Sequence, residues 1–354
     1  MVDGACGVGV RLEKDGTVHD PDSQLKAVVD QHGPWTAMSI KLPGGAYTRE
    51  PAVDHRLKRI LQVCGDIVGK PLSQCRVLDL ACLEGHYALE FAAHGSEVVG
   101  IEGRAASVAK CNFARDALGF DRAVFHQDDV RNLSVAKYGM FDIVICSGLL
   151  YHLPAHDAWA LIRAMHEVCE GIVVVDTFVA LSDRVSVEID GAWYHGHVYG
   201  EHDADDSREA KARRLWASLD NESSFWFTEA SLLNLFARAG YTSSFEALVP
   251  TMPGNLRDRK TYVAVKGRPA RVLTSDETDR QPGVDVPEGA NPRMDPSQVS
   301  HGVVFTTAKR VLPQGMKDAI KPILRAVHLL PPDQTPEFQR ESAKSKAESR
   351  ARDH

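Results

Sequence analysis

The chain has 354 residues and a formal net charge of -7, with 44% hydrophobic residues and 25% charged. That is enough apolar material for one large domain with additions, or two small ones, around a substantial core. The acidic balance disfavours a broad electrostatic grip on nucleic acid, which usually needs a basic patch. The seven cysteines are scattered without a C-x-x-C pair, so neither a zinc knuckle nor a disulfide framework is signalled and a reducing cytoplasm is the natural setting. Met1 to Glu13 lacks the apolar core of a secretory signal, and no stretch reaches the ~20 apolar residues of a membrane-spanning helix.

Residues 1–53 read as an arm with turns, punctuated by His32-Gly33-Pro34-Trp35 and Leu42-Pro43-Gly44-Gly45 and without strong helical periodicity. From Asp54, a capping residue, Leu57, Ile60, Leu61 and Cys64 recur at helical spacing. Apolar strand-like runs follow at Arg76–Leu80, Glu97–Ile101, Ala123–His126, Phe141–Cys146 and Gly171–Asp176, separated by helical segments. This alternation predicts a parallel sheet covered on both faces. A last helix opens at Thr228 and ends near Gly240, and runs at Ser243–Leu248 and Thr261–Lys266 complete the sheet. The expected fold is therefore α/β, a doubly wound Rossmann-like domain over 54–266 with a mostly parallel seven-stranded sheet. Between about 178 and 224 the alternation fails, which predicts a polar insertion over the active-site face. Residues 267–300 have linker composition, and 301–354 form a basic, amphipathic extension with a charged tail.

The most informative stretch is Val77-Leu78-Asp79-Leu80-Ala81-Cys82-Leu83-Glu84-Gly85-His86-Tyr87, a buried strand entering a tight turn and then a helix. Ligands of open α/β sheets bind at such carboxyl ends. Gly85 suits close approach of a ligand to the backbone, and Glu102, closing the next strand, can accept both hydroxyl protons of a ribose. Only one glycine of a dinucleotide G-x-G-x-x-G fingerprint is present, and the Walker pattern is absent. With these residues, the chain resembles the class I S-adenosylmethionine (SAM)-dependent methyltransferases from about Asp54 to Lys266. The resemblance implies SAM as cofactor, with Asp79, Ala81 and Gly85 flanking its methionine part and Glu102 holding its ribose. It also places Asp129, or its neighbour Asp128, against the adenine amine. Ala81 and Leu83 stand where the family has glycines, which leaves a non-catalytic relative as the rival reading.

The fourth strand runs into Ser147-Gly148-Leu149-Leu150-Tyr151-His152-Leu153, similar to the family's segment beside the transferred methyl group. Leu149 or Leu150 would line the cofactor, with Tyr151 and His152 facing the substrate side or the helix behind. His152 is either a general base, since imidazole titrates near neutrality, or a structural histidine bonded to the backbone. Asp142 is expected to fix a strand end, and Asp176-Thr177 to contact substrate or cap the next segment. Within the insertion, Trp193, Tyr199 and Glu201 are candidate substrate contacts. Its His and Asp residues lack metal-ligand spacing, so a solvated loop is favoured over a divalent metal site. Cys82 and Cys146 read as packing residues.

The arm, the Leu150-Tyr151-His152 segment and the run Phe225-Trp226-Phe227-Thr228 resemble a methyltransferase-like group that includes wobble-uridine tRNA modification enzymes and bacterial relatives acting on glycans or natural products. The acidic balance favours O-methylation of a saccharide or other hydroxylated metabolite over tRNA. Basic residues from Lys309 to Arg325 alternate with apolar ones, giving over 309–330 either a helix docked on the domain or a peripheral contact with an anionic membrane face. The sequence leaves the oligomeric state open.

Overall fold

The computed structural model describes residues 21–249 and 258–267. The expected linker and C-terminal extension, with the surface helix read over 309–330, lie outside the described residues, as do residues 1–20.

Along the chain, α1 (Pro21–His32) and α2 (His55–Ile67) precede β1 (Arg76–Leu80), α3 (His86–Ala93), β2 (Glu97–Glu102), α4 (Ala105–Leu118) and β3 (Ala123–Gln127). Then come α5 (Val135–Tyr138), β4 (Phe141–Ser147), α6 (Ala155–Val168), β5 (Cys169–Phe178), β6 (Val185–Ile189) and β7 (Ala192–Gly200). The last elements are α7 (Arg208–Arg213), β8 (Ser223–Phe227), α8 (Glu229–Ala239), β9 (Ser243–Glu246) and β10 (Arg259–Val265). The main sheet has seven strands in the order β3-β2-β1-β4-β5-β10-β9. β1 to β5 pair in parallel, and β10 runs antiparallel to both β5 and β9.

Alternation along the central strands sends side chains to two cores. Val144 and Cys146 of β4 face α6 and α8, while Ile143 and Ile145 face α2, α3 and α4. A central strand apolar on both faces must be covered on both, which fixes the layered architecture. Asp54 caps α2 by accepting from the Leu57 amide at 2.9 Å, and Thr228 caps α8 by accepting from Ser231.

Two segments differ from the sequence-based expectation. The arm contains a helix, α1, whose Leu25, Val28 and Val29 pack on the α4 side. These three apolar residues carry a narrow helical stripe that the surrounding polar residues obscure. The insertion is a three-stranded antiparallel sheet, β6-β7-β8, rather than a solvated loop, and it reaches Phe227 instead of ending at 224. It stays on the domain because the Phe225 amide donates to the Leu153 carbonyl and the Ala180 amide to the Phe227 carbonyl.

Candidate active site

At the carboxyl ends of β1, β2 and β4 lies a cavity of about 330 Å³, within the ~300–1,000 Å³ usual for small-molecule sites. Its wall includes Asp79, Ala81, Glu102, Asp128, Asp129, Leu149, Tyr151 and His152, so eight of the residues singled out in the sequence converge. Leu150, the alternative to Leu149, is buried in the core.

The turn after β1 keeps a glycine-like backbone without the glycines. Ala81, Leu83 and Gly85 all have positive φ, at 52°, 51° and 81°. The Leu83 amide thereby points at Glu102 Oε2, 3.1 Å away. Left-handed backbone costs a side-chain-bearing residue ~1–2 kcal/mol, and this turn holds two such residues. Ala81→Gly is therefore expected to be neutral or stabilising by up to about 1 kcal/mol in urea unfolding. Ala81→Val, β-branched at the same φ, should cost about 2 kcal/mol. Gly85 does not line the cavity. A Cβ there would come within 3.0 Å of Cys111 Sγ and 3.3 Å of Phe125 Cζ, so glycine serves helix–strand packing rather than approach to a ligand.

Two carboxylates lie buried beneath this turn. Asp79 accepts from the Ala88 amide in the first turn of α3 at 3.0 Å through Oδ2 alone. Burial pushes Asp79 up to about 7; the Ala88 amide works against that shift and the neighbouring Glu102 adds to it. Burial raises Glu102 as well, opposed by the amides of Arg104 and Leu83 and by the Arg104 guanidinium. Asp128 and Asp129 are more encumbered. Asp128 accepts from Asn132, Lys137 and Tyr138, and Asp129 is gripped by Arg131 Nε and Nη2.

His152 is held from behind. Its Nδ1 lies 2.9 Å from Glu201 Oε1 and 3.1 Å from Oε2. Glu201 also accepts from Ser224 Oγ at 2.7 Å and the Ser218 amide at 3.0 Å. A carboxylate so placed accepts only, so Nδ1 carries the proton, and in the neutral imidazole the lone pair falls on Nε2. Glu201, expected at the substrate, is instead buried as the partner of His152.

The other two insertion candidates also lie away from the cavity. Trp193 is 63% exposed on the outside of β7, where strand alternation turns it outward. Tyr199 stacks on Trp226 at 5.0 Å, in an aromatic cluster with Phe178 that backs Tyr151. The insertion's histidines diverge: His195 meets Ser186, His197 packs on Trp226, and His202 donates to the Ser218 carbonyl. Among the described residues no group of three or more His, Cys, Asp or Glu could hold a metal ion. Burial pushes the Cys146 thiol up to about 12, which suits a packing role.

Sequence reasoning missed several residues of the wall. Asp176 is not a substrate contact; at 1% exposure it is the counter-ion of Arg56 (Nε, 2.8 Å) and Arg259 (Nε and Nη2, 2.7 Å), which do line the cavity. Asp142 fixes a strand end as expected, accepting from the Arg76 amide. Glu84 accepts from the amides of Thr36 and Ala37 and from Lys110, so it ties the N-terminal arm to the turn and brings Ala37 and Met38 into the wall. The segment Leu215–Asn221 closes the remaining side. Arg56 and Arg259 stand outside any motif in the sequence and Leu215–Asn221 carries none, while Glu84 lies within the turn after β1 without a local sign of its partners in the arm.

A cavity wall that carries two buried carboxylates and also Arg56 and Arg259 suits a ligand that carries a diol and an amino-acid zwitterion. The carboxylates oppose a diphosphate, which seeks helix amides and cations without carboxylates nearby. The strand order with its reversed β10 and helices on both faces is a Rossmann-like, mostly parallel seven-stranded arrangement. Residues 71–222 match a family model described as a methyltransferase domain. A ubiquinone biosynthesis O-methyltransferase of Sodalis glossinidius (strain morsitans) is 32% identical over 109 residues, covering 31% of this chain and 41% of that protein. The chain thus spans less than half the length of that curated relative. The fold is similar to the N-terminal domain of EvdMO1 in the presence of S-adenosylhomocysteine (SAH) and D-fucose, with TM-score 0.53, 21% identity, 70% of this chain and 96% of that chain. The same figures hold for that domain with SAH bound.

Proposed function

We propose that this chain is a SAM-dependent methyltransferase that methylates a hydroxyl of a saccharide or other small hydroxylated metabolite. The observation that carries the reading is a histidine whose Nδ1 is bonded to a buried glutamate, leaving Nε2 as the ring nitrogen available to an acceptor, on the wall of a cavity built from the Asp79 turn and Glu102. In this reading Glu102 and the Leu83 amide hold the ribose end of SAM, and Asp79 takes its ammonium. Arg56 and Arg259 take its carboxylate, and Leu149 lies along it. Asp128 and Asp129 stand at the adenine end with part of their accepting capacity already used. Bound there, SAM supplies an electrophilic methyl carbon on a sulfonium. His152 Nε2 takes the acceptor hydroxyl proton, Glu201 stabilises the imidazolium, and Tyr151 forms part of the acceptor wall. Displacement at a methyl carbon asks mainly for alignment and a base, so no covalent nucleophile is required.

The relatives favour a small acceptor: one is named as an O-methyltransferase of ubiquinone biosynthesis, and EvdMO1 was crystallised with a sugar. The left-handed Ala81 and Leu83 preserve the turn, which argues against the non-catalytic alternative; no observation favours tRNA. No described helix is long and apolar enough to cross a membrane.

The test is calorimetric titration with SAM and SAH, followed by a methylation screen of hydroxylated acceptors including D-fucose. Micromolar binding is expected, and Glu102→Ala should weaken it about 100-fold, since two hydrogen bonds to a charged group are lost. No binding to the wild-type chain would overturn the reading. The pH dependence is a second check. An acid raised from 3.8 to about 7 holds more protons folded than unfolded, so the ligand-free fold loses stability as pH rises through that window. A cationic ammonium favours ionised Asp79, so SAH affinity should rise about fivefold from pH 6 to pH 7. Asp79→Asn should flatten that rise.

A further inference from the structure

Residues 214–221 cross the cavity mouth from the Glu102 side to the His152 side. On the first side Arg104, whose own amide donates to Glu102 Oε1 at 2.8 Å, gives Nη2 to the carbonyls of Arg214 and Ala217, each at 2.9 Å. Leu219 packs over Gly103 so closely that a Cβ there would sit 2.3 Å from Leu219 Cδ1. Asp220 takes Arg131 Nη2 at 2.6 Å, the same nitrogen that holds Asp129. On the second side the Ser218 amide donates to Glu201 Oε2 at 3.0 Å, and Asn221 Nδ2 donates to the His152 carbonyl at 3.1 Å.

This strap lies outside the regular helices and strands. Side-chain pins set its position, Arg104 and Arg131 from the cofactor half and His202, which donates to the Ser218 carbonyl at 2.8 Å, from the insertion, and segments held by few backbone bonds are those that open most readily. One of the three groups that fix the Glu201 carboxylate is the strap's own Ser218 amide.

We infer that Arg104 and Ser218 are positioning residues for the His152 base. Arg104, anchored beside the ribose carboxylate, holds the strap, and the strap's Ser218 amide holds Glu201 and through it His152. The inference rests on the proposed cofactor site. It makes cofactor binding the step that aligns the base, so the acceptor meets a competent His152 only in the loaded enzyme.

The test needs no acceptor. Hydrogen exchange of the peptide spanning 214–222 and the His152 imidazole carbon–proton resonance, assigned with His152→Gln, are followed in the full chain with and without saturating SAH. In the wild type, SAH should slow strap exchange about tenfold and move the His152 resonance. In SAH-saturated Arg104→Met both responses should largely disappear, and Arg104→Lys, still a donor, should restore part of each. Asp220→Asn releases the strap from the exposed side without touching the buried cluster, and serves if Arg104→Met does not fold. An SAH-bound variant with wild-type strap protection and a wild-type His152 response would overturn the inference. Failure of SAH to bind the wild-type chain would instead strike the cofactor reading.

Discussion

Replacing Glu84 with Ala is expected to lower the unfolding free energy by about 3–5 kcal/mol, the cost of leaving a buried charge without its partner. Glu84 and Lys110 are 2% and 5% exposed, and Lys110 Nζ lies 3.0 Å from Glu84 Oε1. Removing the carboxylate leaves Lys110 with only the Pro34 carbonyl, at 2.7 Å. It also frees the Thr36 and Ala37 amides and the Thr36 hydroxyl, which Glu84 accepts at 2.8–3.1 Å. The arm, with Trp35 buried beneath Lys110, loses its attachment to the turn, so cofactor binding should fall with stability. Glu84→Gln keeps an acceptor for the amides and should lose less. Guanidinium or thermal unfolding of the three proteins checks the order; equal stability of Glu84→Ala and wild type would show that the arm is held elsewhere.

The largest effect on activity is expected at His152. With an accepted hydroxyl acceptor, His152→Ala should cut turnover by about 10²–10⁴, the usual contribution of a positioned general base, while SAH affinity stays near wild type. Glu201→Gln is the more discriminating variant. An amide in place of the carboxylate no longer enforces the Nδ1–H tautomer, so turnover should fall by about 10–100-fold with little change in acceptor KM. If His152→Ala retains full turnover, the histidine is structural and the acceptor arrives already ionised or needs no base.

The layered fold was legible because it is written locally. Arg76–Leu80 and Phe141–Cys146 are continuous apolar runs of strand length, and Asp54 and Thr228 cap helices with their own side chains. The two buried carboxylates of the cavity, assigned to the cofactor in the proposed function, were legible for the same reason, since Asp79 and Glu102 sit at strand ends. The insertion was not. Its strands read Val-Ser-Val-Glu-Ile and Ala-Trp-Tyr-His-Gly-His-Val-Tyr-Gly, short and half polar, and their pairing with Phe225–Phe227 is a long-range event that no local pattern reports.

By itself, then, the sequence determined the parallel sheet, its helical cover and the two buried acids, because strand periodicity, capping and strand-end placement are properties of neighbouring residues. Only the tertiary structure decided what those elements enclose. Glu201 moved from presumed substrate contact to partner of His152, 49 residues away in the chain. Asp176 became the counter-ion of Arg56 and Arg259, and Glu84 the anchor of the arm. In each case a buried charge has to find an opposite charge or a hydrogen-bond donor, and which residue supplies it depends on how the chain packs rather than on the residues beside it.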